Sequence, residues 1–143
     1  MASYSLAAIA LLAAVANAFG AQRPRPGILL QHGYPILEVI NLVILAPVIE
    51  SLILIAMIEL LRRLGLPGWL QLGLPASISA ALHIPVSHAL VVAPTWFIMG
   101  GAYLLWRRAS WKVGFAVIAP IHALINLPAA ISIVGYVIHR HNA

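Results

Sequence analysis

The sequence predicts an all-α membrane protein: one domain, built as a bundle of about five transmembrane helices, with broken helices around a polar cavity. Of the 143 residues, 63% are hydrophobic and only 8% are charged, against roughly 25% charged residues in an average soluble domain. The mean hydropathy is +1.02. The apolar residues form runs of about 20, the length at which a helix crosses a bilayer, and prolines lie within or beside several runs.

Five apolar runs predict the spans, in the order 3–20, 36–61, 69–85, 89–106 and 113–138. The first run ends in Ala16-Asn17-Ala18, which is similar to a signal-peptidase site. We nevertheless expect residues 1–22 to form an uncleaved anchor, because no positive residue follows Met1. Residues 36–138 are expected to form the helical core of a single domain that covers residues 1–143.

Basic residues lie in short clusters between these runs, which is typical of loops next to a membrane. Five crossings place five basic residues on one side, namely Arg62, Arg63, Arg107, Arg108 and Lys112, and three on the other, namely Arg23, Arg25 and Arg140. The positive-inside rule then places the N-terminus in the cytoplasm. The same pattern indicates a lipid bilayer as the partner and no nucleic acid, although the formal charge is +5.

Four polar residues lie within the predicted spans: Glu50 in the second, His83 in the third, and His122 and Asn126 in the fifth. An ionised carboxylate at mid-membrane depth costs about 2.5–3.5 kcal/mol on insertion scales, so we expect Glu50 to face inward. His122 and Asn126 are four residues apart and therefore share one helical face. Taken singly, each of these residues also fits a structural role, as a hydrogen bond between transmembrane helices.

The chemistry of the four side chains is that of hydrolysis. A partly desolvated Glu50 beside a neutral His83 can deprotonate a water molecule for attack on a peptide carbonyl. His122 and Asn126 can donate hydrogen bonds to the oxyanion that forms. The sequence leaves two cofactor alternatives open: no cofactor, or a divalent metal such as zinc, for which Glu50, His83 and His122 would be the ligands. The chain has no cysteine, which excludes a thiolate nucleophile and thiolate metal sites.

The remaining acids and histidines are assigned no catalytic role. Glu38 and Glu59 lie near the ends of the second span and are expected to be interfacial end residues. His88 is five residues from His83, a spacing that turns it away from the same helical face, so it too is expected at the interface. Three further histidines are expected in loops or in the C-terminal tail, namely His32, His139 and His141.

The order of these motifs resembles the CAAX-prenyl-protease-like (CPBP or Abi) family of glutamic-type intramembrane endopeptidases. PVIES, residues 47–51, matches the first motif at Pro47 and Glu50, with Ser51 where the family has a second Glu and no Arg before Arg62. SAALH keeps His83, with Ser79 where a Phe is expected. WFIMGGAYLLWRR, residues 96–108, is similar to the glycine-bearing helix that follows. HALIN, residues 122–126, matches the last motif fully.

The resemblance covers residues 44–130 and implies a small, divergent member of the family. It implies that Glu50 and His83 activate water and that His122 and Asn126 bind the oxyanion. The implied substrate is a membrane-associated or lipid-modified protein or peptide, cut near its C-terminal end. The alanine-rich, compact chain and the bacterial relatives of the family favour a bacterial inner membrane.

Two other functions are consistent with the sequence. One is a non-catalytic membrane protein of the same fold, such as a bacteriocin-immunity or interaction partner, which Ser51 in place of Glu favours. The other is a small proton or metal-ion carrier that uses Glu50 and the histidines, although a single mid-membrane acid offers little for a transport path.

Overall fold

The structure, a computed structural model, describes residues 33–83 and 86–141, and every regular element in these ranges is helical. The elements are α1 (Pro35–Ile40), a π-helical segment (Asn41–Leu45), α2 (Ala46–Arg63), α3 (Gly68–Leu82), α4 (Val86–Trp106) and α5 (Trp111–His141). Helices make up 89% of the described residues. The predicted all-α class is therefore confirmed for this part of the chain.

Three continuous helical stretches are long and apolar enough to cross a membrane: Pro35–Arg63, Ala89–Trp106 and Trp111–His139. They correspond to the second, fourth and fifth predicted spans. The third predicted span forms α3, but its 15 residues extend only about 22 Å, less than the hydrocarbon core of about 30 Å. The first predicted span lies outside the described residues, so the count of five spans stays a prediction.

Prolines do not break the helices where the sequence predicted breaks. Pro75, Pro94, Pro120 and Pro128 all lie inside continuous helices. The departure from α-helical geometry is instead the π-helical segment, which ends just before Pro47.

That segment changes the backbone hydrogen bonds around Leu42. The Ala46 N–H donates to the Asn41 carbonyl, five residues back. In the same five-residue register, residue 47 would donate to the Leu42 carbonyl. Residue 47 is a proline and has no N–H to donate. This carbonyl is therefore left for a donor from another helix.

A tight turn reverses the chain between α2 and α3. The Leu66 N–H bonds to the Leu61 carbonyl at 3.1 Å and the Gly65 N–H to the Arg62 carbonyl at 3.0 Å, the pattern of a Schellman motif. Gly65 has φ +71°, a left-handed conformation that glycine adopts without steric strain. The turn makes α3 antiparallel to α2; α3 packs along α4, α4 along α5, and α5 returns against α2 and the π-helical segment.

Apolar side chains occupy both the interior and the surface of the bundle. The most deeply buried are Leu54, Ile58, Met99, Tyr103 and Ile118. Ile36, Leu82 and Leu90 are each at least 70% exposed, which is the arrangement expected of a surface that contacts lipid. A groove of about 550 Å³ between α1, the π-helical segment and the C-terminal half of α5 is also lined by apolar residues. The polar cavity that the sequence predicted stays a prediction.

Candidate functional site

Glu50 and His122 meet across two helices. Glu50 lies on α2 one turn after the N-terminal Pro47, and His122 lies near the middle of α5. Their side chains are 30% and 7% exposed, and Glu50 Oε2 is 3.6 Å from His122 Nε2. The separation is longer than a hydrogen bond but short enough for both groups to contact one small reacting group. The structure thus brings together two of the four residues that the sequence singled out.

His83 is the residue that ends α3, not a residue within a span as the sequence predicted. Its Nδ1 lies 2.7 Å from the Ser79 carbonyl. Because a carbonyl only accepts hydrogen bonds, Nδ1 carries the proton, and in the neutral imidazole Nε2 is then the proton acceptor. His83 lies at the same end of the bundle as Glu50 and His122. This position and this tautomer suit a group that helps to deprotonate water.

Asn126 lies one turn after His122 on α5, as the spacing predicts, but its amide already has a partner. Its Nδ2 donates to the Leu42 carbonyl at 2.9 Å. This is the carbonyl that lacks the helical donor at Pro47, so Asn126 stabilises the π-helical segment against α5. Only the second N–H of the amide remains for an oxyanion.

The proposed metal ligands do not form a coordination group. Within residues 33–83 and 86–141, no three His, Cys, Asp or Glu side chains lie close enough together to hold a metal ion. Zinc needs ligand atoms at about 2.0–2.3 Å from one point. Glu50, His83 and His122 therefore do not fit the zinc alternative in this conformation, and no metal is assigned a role below.

Glu59 and Glu38 differ from the interfacial residues that the sequence predicted. Glu59 accepts a hydrogen bond from the Tyr103 hydroxyl at 2.8 Å and contacts Arg62 and Arg107 at 3.0 and 2.6 Å. Only its i,i+3 spacing to Arg62 could have been read from the sequence. Glu38 is 7% exposed, so it is buried within α1 and is not an exposed end residue.

Sequence reasoning gave no role to two buried serines near this site. Ser51 and Ser79 are 0% and 2% exposed, and both occupy positions where the sequence departs from the motifs above. One feature of the sequence could have pointed to them: each lies four residues after a proline, Pro47 or Pro75.

The remaining histidines lie away from these contacts or outside the description. His139 and His141 lie within α5 and not in a loop or tail as the sequence predicted; His139 is exposed, and its lack of a role stays a prediction. His32 and the side chains of His88 and His141 lie outside the described residues.

Comparison with known proteins gives no match: no protein-family model matches the sequence, and no curated protein and no solved structure is significantly similar to the chain.

Proposed function

We propose that this chain is an intramembrane endopeptidase that hydrolyses a peptide bond near the C-terminal end of a membrane-associated or lipid-modified substrate. The observation that carries the proposal is the 3.6 Å contact between Glu50 and His122. In a tetrahedral intermediate, the oxygen from water and the oxyanion are bonded to the same carbon. The group that deprotonates the water and the group that binds the oxyanion must therefore be neighbours, as these two side chains are.

In the proposed reaction Glu50 is the general base. Its carboxylate takes one proton from a water molecule, and the water oxygen forms a bond to the peptide carbonyl carbon. His83 assists, since its Nε2 accepts a hydrogen bond while Nδ1 is held by the Ser79 carbonyl. The protonated Glu50 then returns the proton to the departing amine, and the carbon–nitrogen bond breaks.

His122 and Asn126 bind the oxyanion in this scheme. His122 is almost fully buried, and a hydrogen bond from a fixed donor in a water-poor site stabilises developing charge by about 3–4 kcal/mol. Asn126 contributes its second amide hydrogen, while the first holds the Leu42 carbonyl. The bond to Leu42 orients the amide before substrate arrives.

The proposal extends to the setting of the protein. We infer a multi-pass protein of a bacterial inner membrane, with the cluster of Arg62, Arg107 and their neighbours on the cytoplasmic side. The three apolar helices support a lipid environment, and the positive-inside rule supports the orientation.

The test compares the C-termini of membrane proteins in cells that produce the unaltered chain, Glu50→Gln or His122→Ala. Mass spectrometry is expected to find shortened C-termini that depend on the unaltered chain and disappear with both variants. His139→Ala is the matched control, because it removes an exposed imidazole from the same helix, and it is expected to retain cleavage. Cleavage that survives Glu50→Gln in a correctly inserted protein would contradict the proposal.

A non-catalytic role is the second candidate, and one observation favours it: the Asn126 amide is already bonded to Leu42, as in a structural tie between helices. A protein that acts only as an interaction partner would keep its biological effect in both Glu50→Gln and His122→Ala. The same pair of variants therefore separates the two functions.

A further inference from the structure

Three serines of this chain follow a proline by four residues in a helix, but only one of them bonds to that proline. Ser132 Oγ donates to the Pro128 carbonyl at 2.9 Å, the usual arrangement for a helical hydroxyl. Ser51 and Ser79 stand in the same relation to Pro47 and Pro75, yet their buried Oγ atoms have no hydrogen-bond partner among the described residues. Both hydroxyls therefore lack the hydrogen bond that a helical serine usually makes to its own helix.

The packing of the helices places these two serines at one level. A Cβ at Gly100 would lie 2.9 Å from Leu72 Cδ2 and 3.3 Å from Ile58 Cδ1, so Ile58 and Leu72 meet over Gly100. Ser51 is seven residues before Ile58, and Ser79 is seven residues after Leu72. Seven residues are about two helical turns and return to nearly the same face. Because α2 and α3 are antiparallel, the two serines lie at about the same level of the bundle.

Glu50 and His122 lie at the same level of the bundle as these two serines. Ser51 is adjacent to Glu50 in the chain, and the contact between Glu50 and His122 brings α5 to this level. His122 Nδ1 is a third buried polar atom with no hydrogen-bond partner in the described ranges. Three such atoms, from α2, α3 and α5, therefore lie at about the level of the proposed general base.

We infer that Ser51 Oγ, Ser79 Oγ and His122 Nδ1 bind a water molecule inside the bundle. A buried water typically makes about three hydrogen bonds to polar groups that otherwise lack partners, and a buried group without a partner costs about 1–3 kcal/mol. Both hydroxyls carry no charge and donate as well as accept hydrogen bonds, which fits water better than a cation.

The purpose of this site rests on the proposed function: the bound water lies at the level of Glu50 and supplies the water molecule that attacks the peptide carbonyl. A peptidase at this depth must hold water in a bundle whose buried side chains are mostly apolar, such as Leu54 and Ile58.

The chain offers a direct test because it contains no cysteine. Ser51→Cys and Ser79→Cys each introduce one thiol. Each variant is treated with Ag⁺, which reaches a buried thiol only through water. After the protein is unfolded, a maleimide counts the thiols that Ag⁺ left unmodified. Ala76→Cys is the matched control, since Ala76 is 5% exposed and lies one turn from Ser79. Both serine positions are expected to react at least about tenfold faster than Ala76→Cys.

Equal rates at Ser51→Cys, Ser79→Cys and Ala76→Cys would overturn the inference. A second measurement needs no substitution: magnetisation transfer from water in solid-state NMR is expected to reach the His122 ring well before the Met99 methyl, which is 0% exposed. Simultaneous arrival at both would also overturn it. Neither measurement needs a substrate. A negative result would therefore contradict the water site alone. A positive result without any cleavage in the mass-spectrometry test would contradict the peptidase function and leave the water site in place.

Discussion

Two glutamates on α2, nine residues apart, have opposite surroundings. Glu59 accepts a hydrogen bond from the Tyr103 hydroxyl and contacts Arg62 of α2 and Arg107 of the turn after α4, all within 3.0 Å. Arg107 Nε is the closest at 2.6 Å, in an ion pair whose N–H is not aligned for a hydrogen bond. Among the described residues Glu50 has one polar side-chain contact, with His122 at 3.6 Å, and its side chain is more exposed, 30% against 18%.

This contrast separates a structural acid from one that is available for chemistry. A carboxylate saturated with donors is held in one position and is a poor proton acceptor, because protonation would break several favourable interactions. A carboxylate with one loose contact keeps lone pairs for water or substrate. The number of acids on a helix therefore says less about function than what each acid touches.

The largest expected effect is on catalysis, and it tests this contrast directly. We expect Glu50→Gln to lower the rate of cleavage by about 10²- to 10⁴-fold, the usual contribution of a general base, with little change in the unfolding transition. Glu59→Gln is the matched control: it should destabilise the protein in detergent while leaving the turnover of folded protein nearly unchanged. Equal loss of turnover in both variants would remove the distinction between the two acids.

A second prediction concerns the packing of Tyr103, which donates a hydrogen bond to Glu59. A Cβ at Gly114 would lie 2.6 Å from the Tyr103 ring, so Gly114→Ala must displace Tyr103 or separate α4 from α5. We expect a loss of about 1–3 kcal/mol in the free energy of unfolding, as for overpacking in other cores. Gly135→Ala is the control on the same helix, because nothing lies within 4 Å of its added Cβ. Thermal unfolding of both variants in detergent measures the difference.

A smaller loss is expected from the Tyr103 hydroxyl alone. Tyr103→Phe removes the 2.8 Å hydrogen bond to Glu59 and leaves the two arginine contacts in place. We expect it to lower the free energy of unfolding by about 1 kcal/mol, the usual net contribution of a hydrogen bond. In Glu59→Gln the same substitution should have a different effect, because the partner has changed; strictly additive effects would show that the hydroxyl and the carboxylate act independently.

The smallest effect is expected where Asn126 on α5 bonds to Leu42 in the π-helical segment. Asn126→Ala should cost about 0.6–1 kcal/mol, the range for hydrogen bonds between membrane helices. Pro47→Ala restores an N–H that can reach the Leu42 carbonyl, so the loss from Asn126→Ala should be smaller in the Pro47→Ala background. A loss of equal size in both backgrounds would show that Pro47 does not create the acceptor.

The class of the protein and the spacing of its polar residues could be predicted from the sequence. Long apolar runs can satisfy their backbone polar groups in lipid only as helices or closed barrels, and the lengths of Pro35–Arg63 and Trp111–His139 agree with the predicted spans. The one-turn spacing of His122 and Asn126 determined that they share a face. Both inferences are local, because helical geometry alone decides them.

The tertiary structure alone decided the partner of each polar group. Asn126 bonds to a carbonyl 84 residues away. This carbonyl is free because a π-helical segment precedes Pro47, and sequence periodicity does not predict that segment. Glu59 looked like Glu38 in the sequence, yet it joins α2 to α4, whereas Glu38 is buried within α1. A hydrogen bond depends on the position of two atoms to within a few tenths of an ångström, and only the packing of whole helices determines that position.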